Sequence, residues 1–336
     1  MKRIKWGIAL IIISLFVSGC TKSKDQTHEQ DSKERLSIAP FIGEISEDEN
    51  DMRPIVATIN NDPKARPQSG LHEADIVYEF MVEGGMTRYA AVFQSSLPEK
   101  IGPIRSARDV FIDLADGLNA FYIAHGYSPS AKQSLEAGVV DYINGMQHDG
   151  SLFERSTDRQ APHNSYITAE HVREAAELVD ASLTLRQKPP LSFHDGLKDV
   201  KIETKATSIT VENGIGPQFT STYVYDDEAG IYWQSINDIE SVDAQSNDGI
   251  AVANVLVLEA PHKTIDDAGR QSIDLASGGK GILFQAGKVV DVEWANENGV
   301  IVPVLDGKVA KLVPGKTWVH VIQQSPGVTA KVQFVP

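Results

Sequence analysis

The sequence predicts an α+β or α/β N-terminal domain followed by a mostly-β C-terminal domain. About 285 residues follow a polar N-terminal segment, which is more than one hydrophobic core usually serves. Helical periodicity is confined to the first half of that body. Short β-like runs separated by Gly, Pro and Asp fill the second half.

The first domain is predicted to span residues 51–188 and to mix strands with helices. A Gly84-Gly85 pair separates two alternating apolar runs, which indicates a hairpin. Ser106 occupies an expected N-cap position before a helix that ends near residues 117–119, and another helix begins at Thr168. The remaining elements expected here are a helix at Ser130–Glu136 and strands at Pro54–Ile59, Asp75–Val82, Thr87–Phe93 and Phe121–Ala124.

The second domain is predicted to span residues 191–336 and to be rich in strands. Pro189-Pro190 marks the boundary, because paired prolines resist both a helix and a central strand. Asp306-Gly307 predicts a tight hairpin, since both residues tolerate the positive φ of a type I′ turn. The predicted strands are Ser208–Glu212, Tyr223–Tyr225, Ile231–Trp233, Asn254–Glu259, Gly281–Gln285, Val289–Trp294, Val300–Leu305, Lys308–Val313 and Thr317–Gln323.

The N-terminus has the pattern of a secretion signal. Lys2, Arg3 and Lys5 precede a nearly unbroken apolar run at residues 6–17, which ends at Ser-Gly-Cys20. A permanent transmembrane helix is the alternative, but the run is shorter than the roughly 20 residues that such a helix needs. The sequence therefore favours a cleaved signal peptide at residues 1–19.

The segment Val17-Ser-Gly-Cys20 resembles the lipobox of bacterial lipoproteins. This resemblance implies that Cys20 becomes the mature N-terminus, an S-diacylglycerol and N-acyl (palmitate-type) cysteine that anchors the protein to the extracytoplasmic face of the cell membrane. Cys20 is the only cysteine, so the chain forms no internal disulfide bond. Residues 20–50 are predicted to be this lipidated terminus and a flexible tether, because they contain few apolar residues.

The net charge restricts the partners. The chain carries 31 basic and 46 acidic side chains, a formal charge of −15. Loss of residues 1–19 removes three basic and no acidic residues, which leaves −18. Such an acidic surface argues against binding to nucleic acid or to anionic lipid headgroups. The expected partners are membrane lipid through acylated Cys20 and a cell-wall polymer or envelope protein.

Three segments resemble the YerB-type bacterial lipoproteins, a family defined by a domain of unknown function and a companion C-terminal domain. They are RPIVATINNDPKARPQSGLHEADIVYEFMVEGGMTRYAAVFQ at residues 53–94, IGPIRSARDVFIDLA at 101–115 and RQAPHN at 159–164. The segments at residues 279–295 and 304–322 are similar to the companion domain. The resemblance implies a two-domain envelope lipoprotein and supplies no catalytic residues.

The stretch Gly102-Pro-Ile-Arg-Ser-Ala-Arg108 is a candidate anion site. Arginine forks bind carboxylates and phosphates, and a helix beginning at Ser106 would add unpaired backbone N–H groups. The alternative is that Arg105 or Arg108 pairs internally with Glu79, Glu83 or Asp109. The complete set of predicted ligand-binding residues is Arg88, Arg105, Ser106, Arg108, His125, His163 and Asn164.

A cell-envelope hydrolase is the second hypothesis, in which Glu79, Glu83, His125 and His163 act as acid or base groups. Strand alternation places Glu79 on the face opposite Ile76, Tyr78 and Phe80, where it is expected to face solvent. Ser128 lacks a nucleophile-elbow pattern and is expected to cap the next helix. Binding is the favoured function, and convergence of the charged residues on one concavity is the structural test.

No metal or cofactor is expected. The nine histidines include no H-E-x-x-H motif or other close pair of metal-ligand spacing. Gly315-Lys-Thr317 ends like a phosphate-binding loop, but Ala310 stands where the first Gly is required, and a strand rather than a helix follows.

Overall fold

An eleven-stranded sheet runs through the computed structural model of this chain, which describes residues 37–46 and 50–336. All of these residues belong to one compact unit. Cys20 and the rest of the predicted signal and lipidation segment lie outside the described residues. The elements of the N-terminal half are β1 Ser37–Ile38, β2 Ile45–Ser46, β3 Ile55–Asn60, β4 Ile76–Glu83, β5 Met86–Phe93, β6 Lys100–Ile101, α1 Asp109–Gly117, β7 Phe121–Ala124, α2 Pro129–Glu136, β8 Tyr142–Asn144, α3 Gly145–His148, β9 Glu154–Arg155, β10 Ser165–Thr168 and α4 Ala169–Leu178.

The C-terminal half is mostly β, as the sequence predicts. Its elements are β11 Ser192–Phe193, β12 Ser208–Glu212, β13 Thr220–Asp226, β14 Ile231–Ile236, β15 Ile239–Glu240, β16 Ala251–Val252, β17 Asn254–Ala260, β18 His262–Thr264, β19 Gln271–Ile273, β20 Gly279–Gln285, β21 Lys288–Glu297, β22 Val300–Leu305, β23 Lys308–Val309, β24 Lys311–Leu312, β25 Thr317–Gln323, α5 Val328–Lys331 and β26 Val332–Val335. Single 3₁₀ turns occur at Pro63–Ala65, Leu71–Glu73, Leu197–Asp199 and Pro217–Phe219.

Both halves contribute to the large sheet. The strands follow in the order β23, β22, β21, β20, β17, β25, β4, β5, β3, β7 and β8. The two halves meet where β25 runs parallel to β4, with Thr317 opposite Ile76 and Val321 opposite Phe80. The predicted domain boundary at residues 188–190 therefore does not separate two sheets.

Each face of the large sheet is covered by a different set of elements. On one face, α1 packs on β4, and the rings of Phe80 and Phe111 meet edge to face at 5.6 Å. On the other face lie α4 and a six-stranded sheet of β12–β16 and β26. Both faces are therefore buried, which explains why the central strands are nearly continuous apolar runs.

The hairpins and most helix boundaries agree with the sequence. Leu305 pairs with Lys308 across Asp306 and Gly307, both of which have positive φ. Ser128 caps α2 by accepting a hydrogen bond from the backbone N–H of Ala131, as expected. The predicted strand Lys308–Val313 is instead divided into β23 and β24 at Ala310.

Two predictions about local structure are wrong. Ser106 is not an N-cap, because the helix begins at Asp109 and Arg108 is the N-cap residue. Residues 37–46, assigned to the flexible tether, form the β1–β2 hairpin. Phe41 is buried there in the main core, and the carbonyl of Ile42 accepts a hydrogen bond from the Gly315 N–H. The few apolar residues around Phe41 are sufficient to fold this stretch because they pack against the main core.

Glu79 and His320 form a buried pair across the junction of β4 and β25. Neither side chain is accessible to solvent, and Glu79 Oε2 lies 3.1 Å from His320 Nδ1. Oε2 also accepts a hydrogen bond from Trp318 Nε1 at 3.4 Å. Oε1 accepts hydrogen bonds from Thr87 Oγ1 at 2.7 Å and Asn61 Nδ2 at 3.4 Å. The expectation that Glu79 faces solvent is wrong, because its face of β4 is covered.

We predict that Glu79→Ala lowers the free energy of unfolding by about 3–5 kcal/mol, because it leaves buried donors unpaired. Denaturant unfolding followed by circular dichroism measures this loss. The matched control is Glu212→Ala, since Glu212 pairs with Lys331 on the surface at 3.2 Å. That change should cost less than about 1 kcal/mol. Equal costs for the two variants would contradict the structural role of the buried pair.

Candidate functional site

The predicted site residues gather at one edge of the large sheet. Strands β3, β4, β7 and β8 all point in the same direction, and their carboxyl ends meet at this edge. Asn60, Glu83 and Asn144 end three of these strands, and His125 follows the fourth. Ligands of α/β sheets commonly bind outside the carboxyl ends of strands, so this edge is the candidate site.

Arg105 is held where β3 and β7 separate. The two strands pair only as far as Ala57 and Ile123. Beyond that point the chain around Arg105 is inserted between them. The Arg105 N–H donates to the Thr58 carbonyl at 2.8 Å, and the His125 N–H donates to the Arg105 carbonyl at 2.9 Å. Backbone bonds on both sides therefore position the Arg105 side chain at the edge.

Glu83 binds two arginines. Arg108 Nε donates to Glu83 Oε2 at 2.8 Å, and Arg108 Nη2 donates to Oε1 at 2.6 Å. Arg88 Nη2 forms an ion pair with the same Oε1, and Arg88 Nη1 donates to the Ser106 carbonyl at 2.9 Å. Arg88 and Arg108 are almost fully buried. The alternative of internal pairing therefore holds for Arg108 and Arg88, with Glu83 as the partner.

The ion pairs determine the charge state of this cluster. Burial alone would raise the pKa of Glu83, but the Arg108 hydrogen bond and the charges of Arg88, Arg108 and Arg105 together hold it below its ordinary value. Burial, followed by the charge of Arg108, lowers the pKa of Arg88. The carboxylate thus stays ionised and is bound on both oxygens.

Arg105 is different from its neighbours. Its side chain is half-buried, and among the described residues it makes no hydrogen bond or ion pair within contact distance. Burial lowers the pKa of Arg105, while Glu83 and Asp62 act in the opposite direction. Arg105 is therefore the arginine of the predicted anion site that has free N–H groups.

His125 is held as a neutral ring. Its Nε2 lies 2.9 Å from Arg155 Nη2, and its Nδ1 lies 2.7 Å from Ser165 Oγ. A guanidinium can only donate, so Nε2 accepts and Nδ1 carries the proton. Burial and then the charge of Arg155 lower the pKa of His125. A Cβ at Gly145 would overlap His125 Nδ1, so the ring position requires glycine there.

His163 keeps one donor free. Asn60 Oδ1 accepts the Asp62 N–H at 3.0 Å, which fixes the Asn60 amide so that its Nδ2 faces His163 Nδ1 at 3.0 Å. His163 Nδ1 is therefore an acceptor, and its Nε2 carries the proton. Within the part of the chain that the structure describes, Nε2 has no hydrogen-bond partner. Burial lowers the pKa of His163, Asp62 opposes this, and Arg105 adds to it.

The other predicted residues support the fold of the edge. Asn164 Nδ2 donates to the Ser156 carbonyl at 2.9 Å, and Asn164 Oδ1 accepts from Arg155 Nη1 at 3.2 Å. Ser106 Oγ donates to the His125 carbonyl at 3.2 Å. These side chains are therefore engaged within the protein rather than available to a ligand.

Glu79 does not join this edge. It lies opposite Tyr89 in the β4–β5 pairing, whereas Arg88 lies opposite Phe80. Because successive side chains of a strand point to opposite faces, Glu79 and Arg88 are on different faces of the sheet. Of the residues tested for convergence, Arg88, Arg105, Arg108, His125 and His163 therefore lie at this edge, whereas Glu79 lies in the separate buried pair with His320.

Sequence reasoning missed Asn60, Asp62, Arg155 and Ser165. Asn60-Asn61-Asp62 directly follows an apolar strand, and that polar run at a strand end was a usable signal. Nothing local links Arg155 or Ser165 to His125. Between residues 50 and 336 and in 37–46, no cluster of His, Cys, Asp or Glu has the grouping of a metal site.

Comparison with known proteins confirms the family resemblance. Residues 42–182 match the N-terminal domain of the family described as "Protein of unknown function (DUF3048)", and residues 210–319 match its C-terminal domain. The chain belongs to this two-domain family.

Its relatives include a lipoprotein by name. The chain is 40% identical over 324 residues to the Bacillus subtilis (strain 168) protein named "Putative lipoprotein YerB", with 96% of each chain covered. The crystal structure of YerB protein from Bacillus subtilis matches with a TM-score of 0.82 and 40% identity, over 89% of this chain and 100% of that one. None of the described helices is long and apolar enough to cross a bilayer.

We predict that the stabilising effect of Glu83 depends on pH. Because the folded-state pKa of Glu83 lies below its ordinary value of 4.5, ionised Glu83 stabilises the fold above that pH. The contribution is lost as the pH falls through the folded-state pKa. Glu83→Gln should lower the free energy of unfolding near pH 7 by about 3–5 kcal/mol, because two buried guanidinium groups lose their counterion.

Denaturant unfolding of both proteins between pH 3 and pH 8 tests this. The difference between wild type and Glu83→Gln should shrink toward pH 3, whereas Glu212→Gln should differ little from wild type throughout. A difference for Glu83→Gln that is constant across the range would contradict the assigned charge state.

Proposed function

We propose that this protein is a lipid-anchored binding protein of the extracytoplasmic membrane face, which holds an anionic cell-wall polymer at Arg105. The anchor is supported by the lipobox-like segment ending at Cys20 and by the name of the Bacillus subtilis relative. The ligand group is a carboxylate or a phosphate.

The free guanidinium of Arg105 carries this proposal. Arg88 and Arg108 satisfy Glu83, so Arg105 is left as a half-buried cation with unused donors at the carboxyl edge of the sheet. The N–H at His163 Nε2 is a second free donor. The charge of Arg105 contributes to the lowered pKa of the His163 ring. Charge-assisted bonds from an arginine fork are strong and geometrically specific for carboxylate and phosphate.

The local charge supports an anion rather than a cation as ligand. Arg88, Arg105 and Arg108 together outnumber Glu83 and Asp62, and depressed pKa values keep both histidines neutral near pH 7. A positive site on a chain with a formal charge of −15 is a local exception. Such a focused charge favours an anionic ligand over the rest of the surface.

The hydrolase alternative finds less support in this geometry. Glu83 has both oxygens bound by arginines, and Glu79 is fully buried in its pair with His320. Both nitrogens of His125 are engaged. A general acid or base must reach a substrate proton, and His163 is the one candidate in this set with a free ring nitrogen.

We predict that Arg105→Ala weakens binding to the wall polymer about 10- to 100-fold, because a hydrogen bond to a charged group contributes roughly 1.5–3 kcal/mol. Residues 20–336 with Cys20→Ser, purified without lipid, are titrated with a teichoic-acid fraction and with soluble peptidoglycan fragments. Calorimetry gives the affinity, and thermal unfolding checks the fold. Arg173→Ala, an exposed arginine on α4, is the matched control.

Saturable binding that is lost in Arg105→Ala and kept in Arg173→Ala supports the proposal, and the fraction that binds identifies the polymer class. Binding should also tighten as the pH falls through the lowered pKa of His163, because the protonated ring adds positive charge at the site. Absence of binding to either fraction, or equal binding by the two variants, would refute the wall-polymer site and favour a protein partner.

A further inference from the structure

A cavity of about 330 Å³ lies between the two sheets, on the face of β5 opposite to that of Arg88. One wall is the hairpin joining β14 to β15, and the other is the segment from Pro63 to Leu71. The rim includes exposed Pro67 and Ile239, and buried Leu71 and Ile250 line the interior. The lining is mainly apolar.

Two buried polar atoms of residues that line this cavity have no hydrogen-bond partner within the part of the chain that the structure describes. The Tyr89 hydroxyl and Gln234 Oε1 both belong to side chains that line it, and these residues are only 1% and 3% exposed. Most buried polar atoms in folded proteins are paired, because an unpaired one loses its hydration without replacement. A ligand that pairs both atoms would recover that free energy.

The buried Glu79 pair fixes the direction of the Gln234 amide. With the His320 ring neutral, Nδ1 donates to Glu79 Oε2, and Nε2 accepts from the Tyr223 hydroxyl at 2.9 Å. The Tyr223 oxygen then accepts from Gln234 Nε2 at 2.8 Å. Each hydrogen bond in this series is therefore donated in the direction of Glu79. The unused Gln234 Oε1 at its far end is consequently an acceptor that needs a donor.

The charged side chains at the cavity do not provide an anion site. Arg66 Nε donates to Asn61 Oδ1 at 2.9 Å, and Arg66 Nη2 donates to the carbonyls of Asn61 and Gln218 at 2.8 Å and 2.7 Å. Glu240, which has the opposite charge, also lines the cavity. An ionised carboxylate has no proton for Gln234 Oε1.

We propose that this cavity binds a neutral, mainly apolar small molecule that carries an amide group. The amide N–H donates to Gln234 Oε1, and the Tyr89 hydroxyl donates to the amide carbonyl. The apolar part of the ligand lies against Leu71, Ile236 and Ile250. Mostly apolar pockets with a few convergent polar groups are the usual form of small-molecule sites. Arg88 and Tyr89 project to opposite faces of β5, so this cavity and the Glu83 ion pairs lie on different faces of the sheet.

A matched series of probes tests the chemistry. Cyclohexanecarboxamide, methylcyclohexane and cyclohexanecarboxylate share one ring and differ in the polar group. Each is titrated into residues 20–336 with Cys20→Ser, and backbone amide shifts are followed by NMR. The carboxamide should produce saturable shifts at residues 63–71 and 236–250. The other two probes should bind at least fivefold more weakly, because each leaves Gln234 Oε1 unpaired.

Two variants separate binding from folding. Tyr89→Phe removes an unpartnered hydroxyl, so it should retain the wild-type unfolding midpoint or raise it, and should weaken carboxamide binding about fivefold. Tyr142→Phe is the control for a tyrosine remote from the cavity and should change neither. Ser241→Trp places a large ring at the cavity lining and should abolish the shifts.

Absence of shifts at these residues with all three probes, in protein that is folded, would overturn the cavity as a binding site. Equal affinities for the three probes, or no effect of Tyr89→Phe, would overturn the assignment of an amide ligand. If Ser241→Trp does not fold, Tyr89→Phe still decides the question. Arg105→Ala should leave carboxamide binding unchanged, which distinguishes this site from the proposed wall-polymer site.

Discussion

The parallel pairing of β4 with β25 is the constraint on which the rest of the structure depends. It joins a strand near the start of the folded body to one near its end, so nearly the whole chain must be arranged before it forms. A pairing of such long sequence separation carries a large loop-closure cost and needs compensating burial. Glu79 and His320, fully buried and opposite each other across this pairing, add a specific polar contact that only the correct register allows.

The same pairing links the two candidate sites. On one face of the sheet, a series of side-chain contacts runs from Glu79 through His320 and Tyr223 to Gln234. It connects the six-stranded sheet to the eleven-stranded sheet and ends at the cavity. At the carboxyl edge, the end of β4 places Glu83 where it forms ion pairs with Arg88 and Arg108 but not with Arg105. The two family domains are thus distinct in sequence, but both contribute strands to the eleven-stranded sheet.

Much of the fold could be predicted from sequence because its signals are local. Alternation identified the β4–β5 hairpin, Asp306-Gly307 identified a tight turn, and Ser128 was correctly interpreted as a helix cap. The burial of Glu79 could not be predicted, since its partner His320 is distant in sequence. Likewise, the motif around Arg105 and Arg108 could not reveal which arginine is paired, because that depends on where β4 ends. Tyr89 and Gln234 became informative only when the two sheets were placed together.

Native-state hydrogen exchange tests most directly whether the two family domains fold as one unit across the β4–β25 junction. The account predicts that the slowest amides of β4, β5, β17 and β25 exchange with one common free energy of opening, equal to that of global unfolding. A C-terminal half whose core amides exchange through a separate, lower-energy opening while β4 and β5 stay protected would contradict it.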